Sequence, residues 1–201
     1  MRIINMYFDV ETTGLNPYKD EIHQFSAIVE NEDGEIIDEI DIKAKPSDIE
    51  LFKDGVLNLL GITAEEVMAR PLDQVGLYNA ILAFFDKHVD KYDRNDKFTP
   101  IAYNIDFDKG FLRQLFLKNG NRYIDSYLQH NHIDVLAFCH ILVQYGGIMK
   151  NQSNMKLTTM CELLDIPIEK AHDSLHDTHA MRLLLKWFEE HITLEIPPHL
   201  Q

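Results

Sequence analysis

Cations are in short supply in this chain of 201 residues, where 19 Lys and Arg stand against 33 Asp and Glu for a formal net charge of −14. Such a surface cannot grip a long polyanion by counterion release alone, so a phosphate-bearing partner must be met by locally placed positive charge. Bound divalent cations are one source of that charge, and clustered carboxylates are what hold them. Cysteine is scarce too: only Cys139 and Cys161 occur, far apart and without a C-x-x-C spacing. That excludes a disulfide framework and suits buried free thiols in a reducing compartment. No run nears the roughly 20 apolar residues that cross a bilayer, and MRIINMYFDV is too brief for a secretory segment. A soluble, cytoplasmic protein is expected. Repeats and low-complexity tracts are also absent. What the chain does have is 45% hydrophobic residues, enough for one well-buried core. A single domain over residues 1–195 with a short tail over 196–201 follows.

The stretch RIINMYFDV, rich in Ile, Tyr, Phe and Val, reads as a buried strand. QFSAIVEN and IIDEIDIKA form a hairpin about EDGE, with Asp33 and Gly34 supplying the turn. A short helix around ITAEEVMAR and a longer one through VGLYNAILAFFDKHV come next. The charge-dense KYDRNDK, residues 91–97, reads as a solvated loop. FTPIAYN is a strand, and FDKGFLRQLFLKNG is an amphipathic helix stopped by Asn119 and Gly120. A helix through IDVLAFCHILVQYGG starts from a cap at Asp134, and KLTTMCELLDIP is another, closed off by Pro167. The last helix runs from about Ser174 to about His191, with Leu184, Leu185, Trp187 and Phe188 on its apolar side. Three strands, helices, a strand and then mostly helices predict an α/β fold with a mixed sheet flanked by helices.

Three acidic stretches carry the candidate chemistry. In YFDVETTG, Asp9 and Glu11 are two apart on a strand, so both carboxylates project to one side while Phe8 and Val10 enter the core. Crowded carboxylates repel one another and lose hydration, which favours a cation between them; an exposed strand end is the plainer alternative. The Thr12-Thr13-Gly14 turn places backbone N–H groups beside the pair, where a phosphate or sugar fits. In AYNIDFDKGFL, Asp106 and Asp108 lie where a strand gives way to a helix, a common ligand position in open α/β sheets, although one of them could simply cap the helix. The third stretch, AHDSLHDTHA, packs His172, His176, His179 and Asp177 into residues 171–180. Ser174-x-x-Asp177 also reads as a capping box with Asp in the last place. A zinc site is disfavoured because the glutamate of H-E-x-x-H is missing, and His176 and His179 read as surface or packing residues. His130-Asn131-His132 is no nuclease signature.

In their order and spacing, FDVETTGL, YNIDFDKGF and HDSLHD resemble the Exo I, Exo II and Exo III motifs of the DEDDh (DnaQ-like) family of 3′-to-5′ exonucleases. That group includes the proofreading subunit of bacterial replicative polymerase, ribonuclease T and oligoribonuclease. The likeness spans residues 6–188, and LTTMCELLDI is also familial. It implies a ribonuclease H-like sheet and assigns Asp9, Glu11, Asp108 and Asp177 as ligands of two Mg²⁺ or Mn²⁺ ions, with His172 as general base. The N-x-x-F-D pattern, falling on Asn104, Phe107 and Asp108, selects Asp108 over Asp106. Thr12, Thr13 and Gly14 would hold the terminal nucleotide with Leu15 against its base, and Asn104 belongs to the same substrate site. Phe107 and Phe111 are expected in the core. Tyr103, where many relatives have histidine, and Thr178, where alanine is common, are departures that bear on substrate preference.

Elementary chemistry agrees with the resemblance. Four carboxylates without sulfur suit hard, oxygen-seeking ions. Two such ions about 3.5–4 Å apart clamp a phosphodiester, and a histidine of ordinary pKa about 6.5 is poised to take a proton from water. The resemblance therefore implies release of nucleoside 5′-monophosphates from the 3′ end of DNA, single-stranded or frayed, beside a polymerase or another replication or repair protein. An exoribonuclease of the ribonuclease T or oligoribonuclease type is the alternative, since an acidic surface suits short substrates. A non-catalytic binding module is disfavoured because all five catalytic positions are filled. An aspartyl phosphatase, hinted at by DVETT, leaves the other two motifs unexplained.

Overall fold

The computed structural model describes residues 4–52, 55–146, 154–168 and 173–191. The expected tail over 196–201 lies outside these, as does His172. Five strands form one mixed sheet in the order β3-β2-β1-β4-β5: β1 (Ile4–Thr12), β2 (Ile22–Glu30), β3 (Ile36–Lys43), β4 (Phe98–Ala102) and the two-residue β5 (Ile133–Asp134). β1 pairs antiparallel with β2 and parallel with β4, β2 pairs antiparallel with β3, and β4 pairs parallel with β5. The helices are α1 (Val56–Leu60), α2 (Ala64–Met68), α3 (Gln74–His88), α4 (Ile105–Lys118), α5 (Val135–Gly146), α6 (Leu157–Leu163) and α7 (Ser174–His191). The mixed sheet flanked by helices agrees with the expectation from sequence.

Local chemistry explains most boundaries. The β2–β3 hairpin turns through Gly34 at φ 77°, a left-handed conformation that glycine adopts without steric cost. A capping box starts α2, with Thr63 Oγ1 accepting the Glu66 N–H at 3.2 Å and the Glu66 carboxylate accepting the Thr63 N–H at 2.7 Å. Gly120, at φ 75°, follows the Asn119 cap of α4. The cap at Asp134 is present, its Oδ1 accepting the Leu136 N–H at 3.1 Å. The 91–97 stretch is a loop. Five-residue α1 went unread, being too short to show a helical period.

The two faces of the sheet differ in chemistry. Met6, Phe8 and Val10 pair with Val29, Ala27 and Phe25, and Phe98 pairs with Ile4 on the same side. The Phe85 ring of α3 contacts Phe98 and the Phe116 ring of α4, so these helices cover the apolar face. The opposite face carries Tyr7, Asp9 and Glu11 beside Ile28, Ser26 and Gln24, and α7 lies across it. Every residue of β2 is buried, which is why that strand reads as an apolar run interrupted by polar groups.

Glu30 ties α7 to this polar face. It is 4% exposed and receives Arg182 Nε at 2.5 Å, Lys186 Nζ at 3.4 Å and the Tyr7 hydroxyl at 3.2 Å, while Arg182 Nη2 donates to the Gly34 carbonyl at 3.0 Å. Removing one partner of a buried ion pair leaves the other charge uncompensated, at a cost of about 3–5 kcal/mol. Because Lys186 stays beside Glu30, Arg182→Met is expected at the lower end, about 3 kcal/mol. It should be read as a lower urea midpoint at unchanged slope; a midpoint equal to the parent's would show that the clamp contributes nothing.

Candidate active site

β1 ends at the site. Strand alternation turns Asp9 and Glu11 toward the face that α7 covers, with Phe8 and Val10 buried behind them. The first residue of α7 is stitched to the same strand, since the Ser174 hydroxyl donates to the Asp9 carbonyl at 2.8 Å. One turn later Asp177 comes into reach. One carboxylate oxygen from each of Asp9, Glu11 and Asp177 lies within 4.8 Å of the others, and this is the one such group of three or more among the described residues. Asp108 arrives from α4. It is 2% exposed, and its Oδ1 accepts the Val10 N–H at 3.1 Å, between the two β1 acids. The structure thus clusters Asp9, Glu11 and Asp177 within 4.8 Å and sets Asp108 against the β1 backbone between the first two, outside that close group; His172 lies outside the described residues.

The electrostatics are those of crowded anions. Burial, reinforced by the Asp177 charge, pushes Asp9 up to about 7. Burial and then Asp9 and Asp177 push Glu11 up to about 8. Asp108 is held well above the usual carboxylate range by burial and by Asp9. Among the described residues this is an all-oxygen donor set without imidazole or thiolate, and one whose members repel one another fits a hard divalent cation such as Mg²⁺ or Mn²⁺.

Several local expectations are corrected. Neither Asp106 nor Asp108 caps α4, because the cap position is Asn104 in a left-handed conformation at φ 67°. Asn104 donates its N–H to Asp134 Oδ1 at 2.9 Å. Asp106 is exposed and Asp108 buried. The Ser174–Asp177 capping box does not form: Ser174 is the first helical residue and its hydroxyl goes to β1, while the Asp177 N–H meets the Asp173 carbonyl at 3.0 Å. His176 and His179 point to carboxylates, Asp173 at 3.3 Å and Glu39 at 3.2 Å. Phe111 is buried and its ring meets that of Phe107 at 4.9 Å between centroids, tilted by 51°, as expected of core aromatics.

The turn after β1 is built tightly. Thr13 is fully buried, its N–H donating to the Glu21 carbonyl at 2.9 Å and its hydroxyl accepting the Glu21 N–H at 3.0 Å. A Cβ at Gly14 would overlap the Asp20 carboxylate, and that carboxylate holds the Asn16 N–H at 2.8 Å. Thr12 Oγ1 donates to the Gly14 carbonyl at 2.6 Å. Leu15, 83% exposed, stands free of the protein. Beside the acids opens a cavity of about 530 Å³ lined by Tyr103, Asn104, Leu136, His140, Lys156 and Asp177, whose wall is pinned where the Tyr103 hydroxyl donates to the Met155 carbonyl.

Sequence reasoning missed a polar cluster at the site's rim. Asp173 receives Lys43 Nζ at 3.3 Å and Gln24 Nε2 at 3.5 Å, and Gln24 also donates to Asp41 at 2.8 Å. The signal lay in strand register: Gln24 sits opposite Glu11 and Lys43 opposite Gln24, a row on one face that becomes visible only once the pairing is known.

Comparison with known proteins places this geometry in context. A family model described as an exonuclease, RNase_T, matches residues 6–185. The chain is similar to the PolC-type DNA polymerase III of Bacillus cereus, 30% identical over 179 residues, which are 89% of this chain and 11% of that protein. It is similar also to that of Oceanobacillus iheyensis, 31% identical over 196 residues, or 96% of this chain and 12% of that protein. The chain thus spans about a tenth of the length of these curated relatives. Among solved structures, a zinc-bound E. coli ExoI–ssDNA complex superposes with a TM-score of 0.79 at 24% identity, covering 94% of this chain and 41% of that one. That likeness establishes the fold.

The raised acids carry a stability consequence. Unfolded carboxylates titrate near 4, so without metal the folded protein holds more protons between about pH 4 and 8 and loses stability as pH rises through that interval. In EDTA the thermal midpoint is expected to drop from pH 6 to pH 8.5. Glu11→Gln should raise it at pH 8 by about 3 °C, roughly 1 kcal/mol in a domain of this size. Mn²⁺ should raise the parent's midpoint more at pH 8 than at pH 6, because binding displaces protons. A parent midpoint in EDTA that climbs toward alkaline pH would contradict this account of the acids.

Proposed function

The chain belongs to the exonuclease family, and from that membership we propose that it hydrolyses phosphodiester bonds at the 3′ end of DNA, single-stranded or frayed, releasing nucleoside 5′-monophosphates. The observation that carries the proposal is the meeting of Asp9, Glu11 and Asp177 within 4.8 Å, with Asp108 beside them, from segments that span the length of the chain. The PolC-type polymerase relatives support DNA as the substrate, as does the single-stranded DNA bound by the ExoI neighbour. A proofreading or repair role beside a polymerase is part of the same reading.

Asp9, Glu11, Asp108 and Asp177 would hold two Mg²⁺ or Mn²⁺ ions. When bound, these neutralise the scissile phosphate and supply Lewis acidity toward the attacking water and the leaving oxygen. His172 takes the proton of that water as its oxygen attacks phosphorus; the P–O3′ bond breaks, and the departing 3′ oxygen leaves with a proton from solvent. Thr13 fixes the turn, and the backbone of Thr12 and Gly14 faces the terminal nucleotide with Leu15 against its base. Asn104, on the wall of the neighbouring cavity that also includes Asp177, orients the same nucleotide. Asp9 and Glu11, pushed up to about 7 and 8 by burial and neighbouring charge, give up their protons to metal more readily as pH rises, so activity should rise with pH toward 8.

His172→Ala is expected to lower turnover by about 10²–10⁴ with Mn²⁺ affinity retained; near-parental turnover removes His172 from the mechanism. Asp177→Asn should lose both Mn²⁺ binding by calorimetry and metal-dependent digestion while remaining folded. Labelled DNA and RNA single strands digested side by side with Mg²⁺ and with Mn²⁺ decide the substrate, since faster loss of RNA would favour the exoribonuclease.

A further inference from the structure

A cavity of about 860 Å³ lies outside the acidic site on the outer side of α4. Asp106, Lys109, Gly110 and Arg113 face it at helical spacing, whereas Asp108, Phe111, Leu112, Leu115 and Phe116 of the same helix are buried. Arg94 and Lys97, from the charged 91–97 loop, form the opposite wall. Four cations therefore share the groove with two acids, Asp106 and Asp125. Asp125 is already spent: both its oxygens accept Arg113 Nη2, at 2.8 and 3.0 Å, and its carbonyl takes Lys97 Nζ at 2.5 Å. Arg94 and Lys109 have no carboxylate partner among the described residues. In a chain of net charge −14, this local excess of positive charge in a walled groove focuses the field on an anionic ligand.

The groove neighbours the acidic site at two points along the chain. Asn104 lines the smaller cavity and Asp106 the larger, so both cavities are lined from the start of α4. Gly110, on the groove floor, lies where a Cβ would sit 3.8 Å from Pro17, two residues beyond the exposed Leu15. A strand whose end rests at the turn after β1 has this groove as its next neighbour.

We propose that the groove between α4 and the 91–97 loop binds the sugar-phosphate backbone of the nucleic acid strand upstream of the 3′-terminal nucleotide, with Arg94 and Lys109 supplying the phosphate contacts. This rests on the exonuclease reading for which part of the strand is held. The groove follows the general design of single-strand sites, a positively charged channel that tracks the backbone without reading sequence.

The test is fluorescence anisotropy of a labelled 20-nucleotide DNA single strand on the full chain in EDTA, where nothing is cleaved, together with digestion in Mg²⁺. The Arg94→Ala/Lys109→Ala double variant is expected to bind the 20-mer about tenfold more weakly at low salt, with the slope of log affinity against log salt shallower by about 1.4, two phosphates' worth for single strands. Hydrolysis of a dinucleotide, too short to enter the groove, should keep its parental kcat and KM, and Lys109→Arg should bind as the parent does. Unchanged 20-mer affinity and slope in the double variant, with digestion intact, overturns the groove proposal alone and leaves the groove to a protein ligand. A parent that binds the strand through Arg94 and Lys109 yet cleaves no substrate overturns the exonuclease reading and leaves the groove standing.

Discussion

Carboxylates that repel one another are held in contact at the end of β1, and the architecture around them exists under that constraint. At 4.8 Å and an effective dielectric of 20, two unit charges repel by about 3 kcal/mol. The acids' own escape is to stay protonated, which is why burial and neighbouring charge push Asp9 and Glu11 up to about 7 and 8. What keeps the backbones together is apolar packing further along each element. Helix α7 buries Met181, Leu184, Leu185 and Phe188, and at about 1.5–3 kcal/mol for each large side chain their burial outweighs the repulsion felt by Asp177. In the same way Phe111, Leu112, Leu115 and Phe116 hold α4 while Asp108 faces the acids.

Packing alone would let α7 slide by a turn, and two polar contacts prevent it. Ser174 bonds the Asp9 carbonyl at one end, and Arg182 meets Glu30 eight residues on, about 12 Å along the axis. Asp177 lies between these fixed points. A one-turn shift would break a buried ion pair and separate Asp177 from Asp9, so the register that satisfies Glu30 is also the one that assembles the acidic cluster. The hairpin belongs to the same device, because Gly34 offers its carbonyl to both Arg182 and Lys186.

What was legible in the sequence follows from distance along the chain. β1, the hairpin about Gly34 and the limits of α7 are set by period, turn chemistry and capping within a few residues, and they were read correctly. The pairing of Asp9 with Glu11 was equally local, a matter of strand alternation. The remainder depends on contacts that no window contains. The Ser174 hydroxyl chose a strand 165 residues away over the cap that its own tetrapeptide offered. Likewise Asn104 took the start of α4 because Asp134, 30 residues on, accepts its N–H. The Glu30–Arg182 clamp and the Asp173–Lys43 bridge span 152 and 130 residues. The choice of Asp108 over Asp106 came from the family resemblance, and burial supplies its physical side: one carboxylate is sealed against β1 and the other looks outward into the basic groove.

On the proposed reading, that division of α4 resolves the opening difficulty of an acidic protein meeting a polyanion. A surface of net charge −14 repels nucleic acid wherever the cations are dispersed, and divalent ions at the acids correct this only within a Debye length, about 8 Å at physiological salt. Beyond that reach a strand needs fixed positive charge, and the outer face of α4 with the 91–97 loop is where it is gathered. One helix then serves both ends of the problem, its buried face bringing Asp108 to the metal-binding acids and its exposed face bringing Lys109 to the strand. The acidic remainder of the surface becomes useful on this reading, since in a chain of net charge −14 it disfavours approach away from the basic groove.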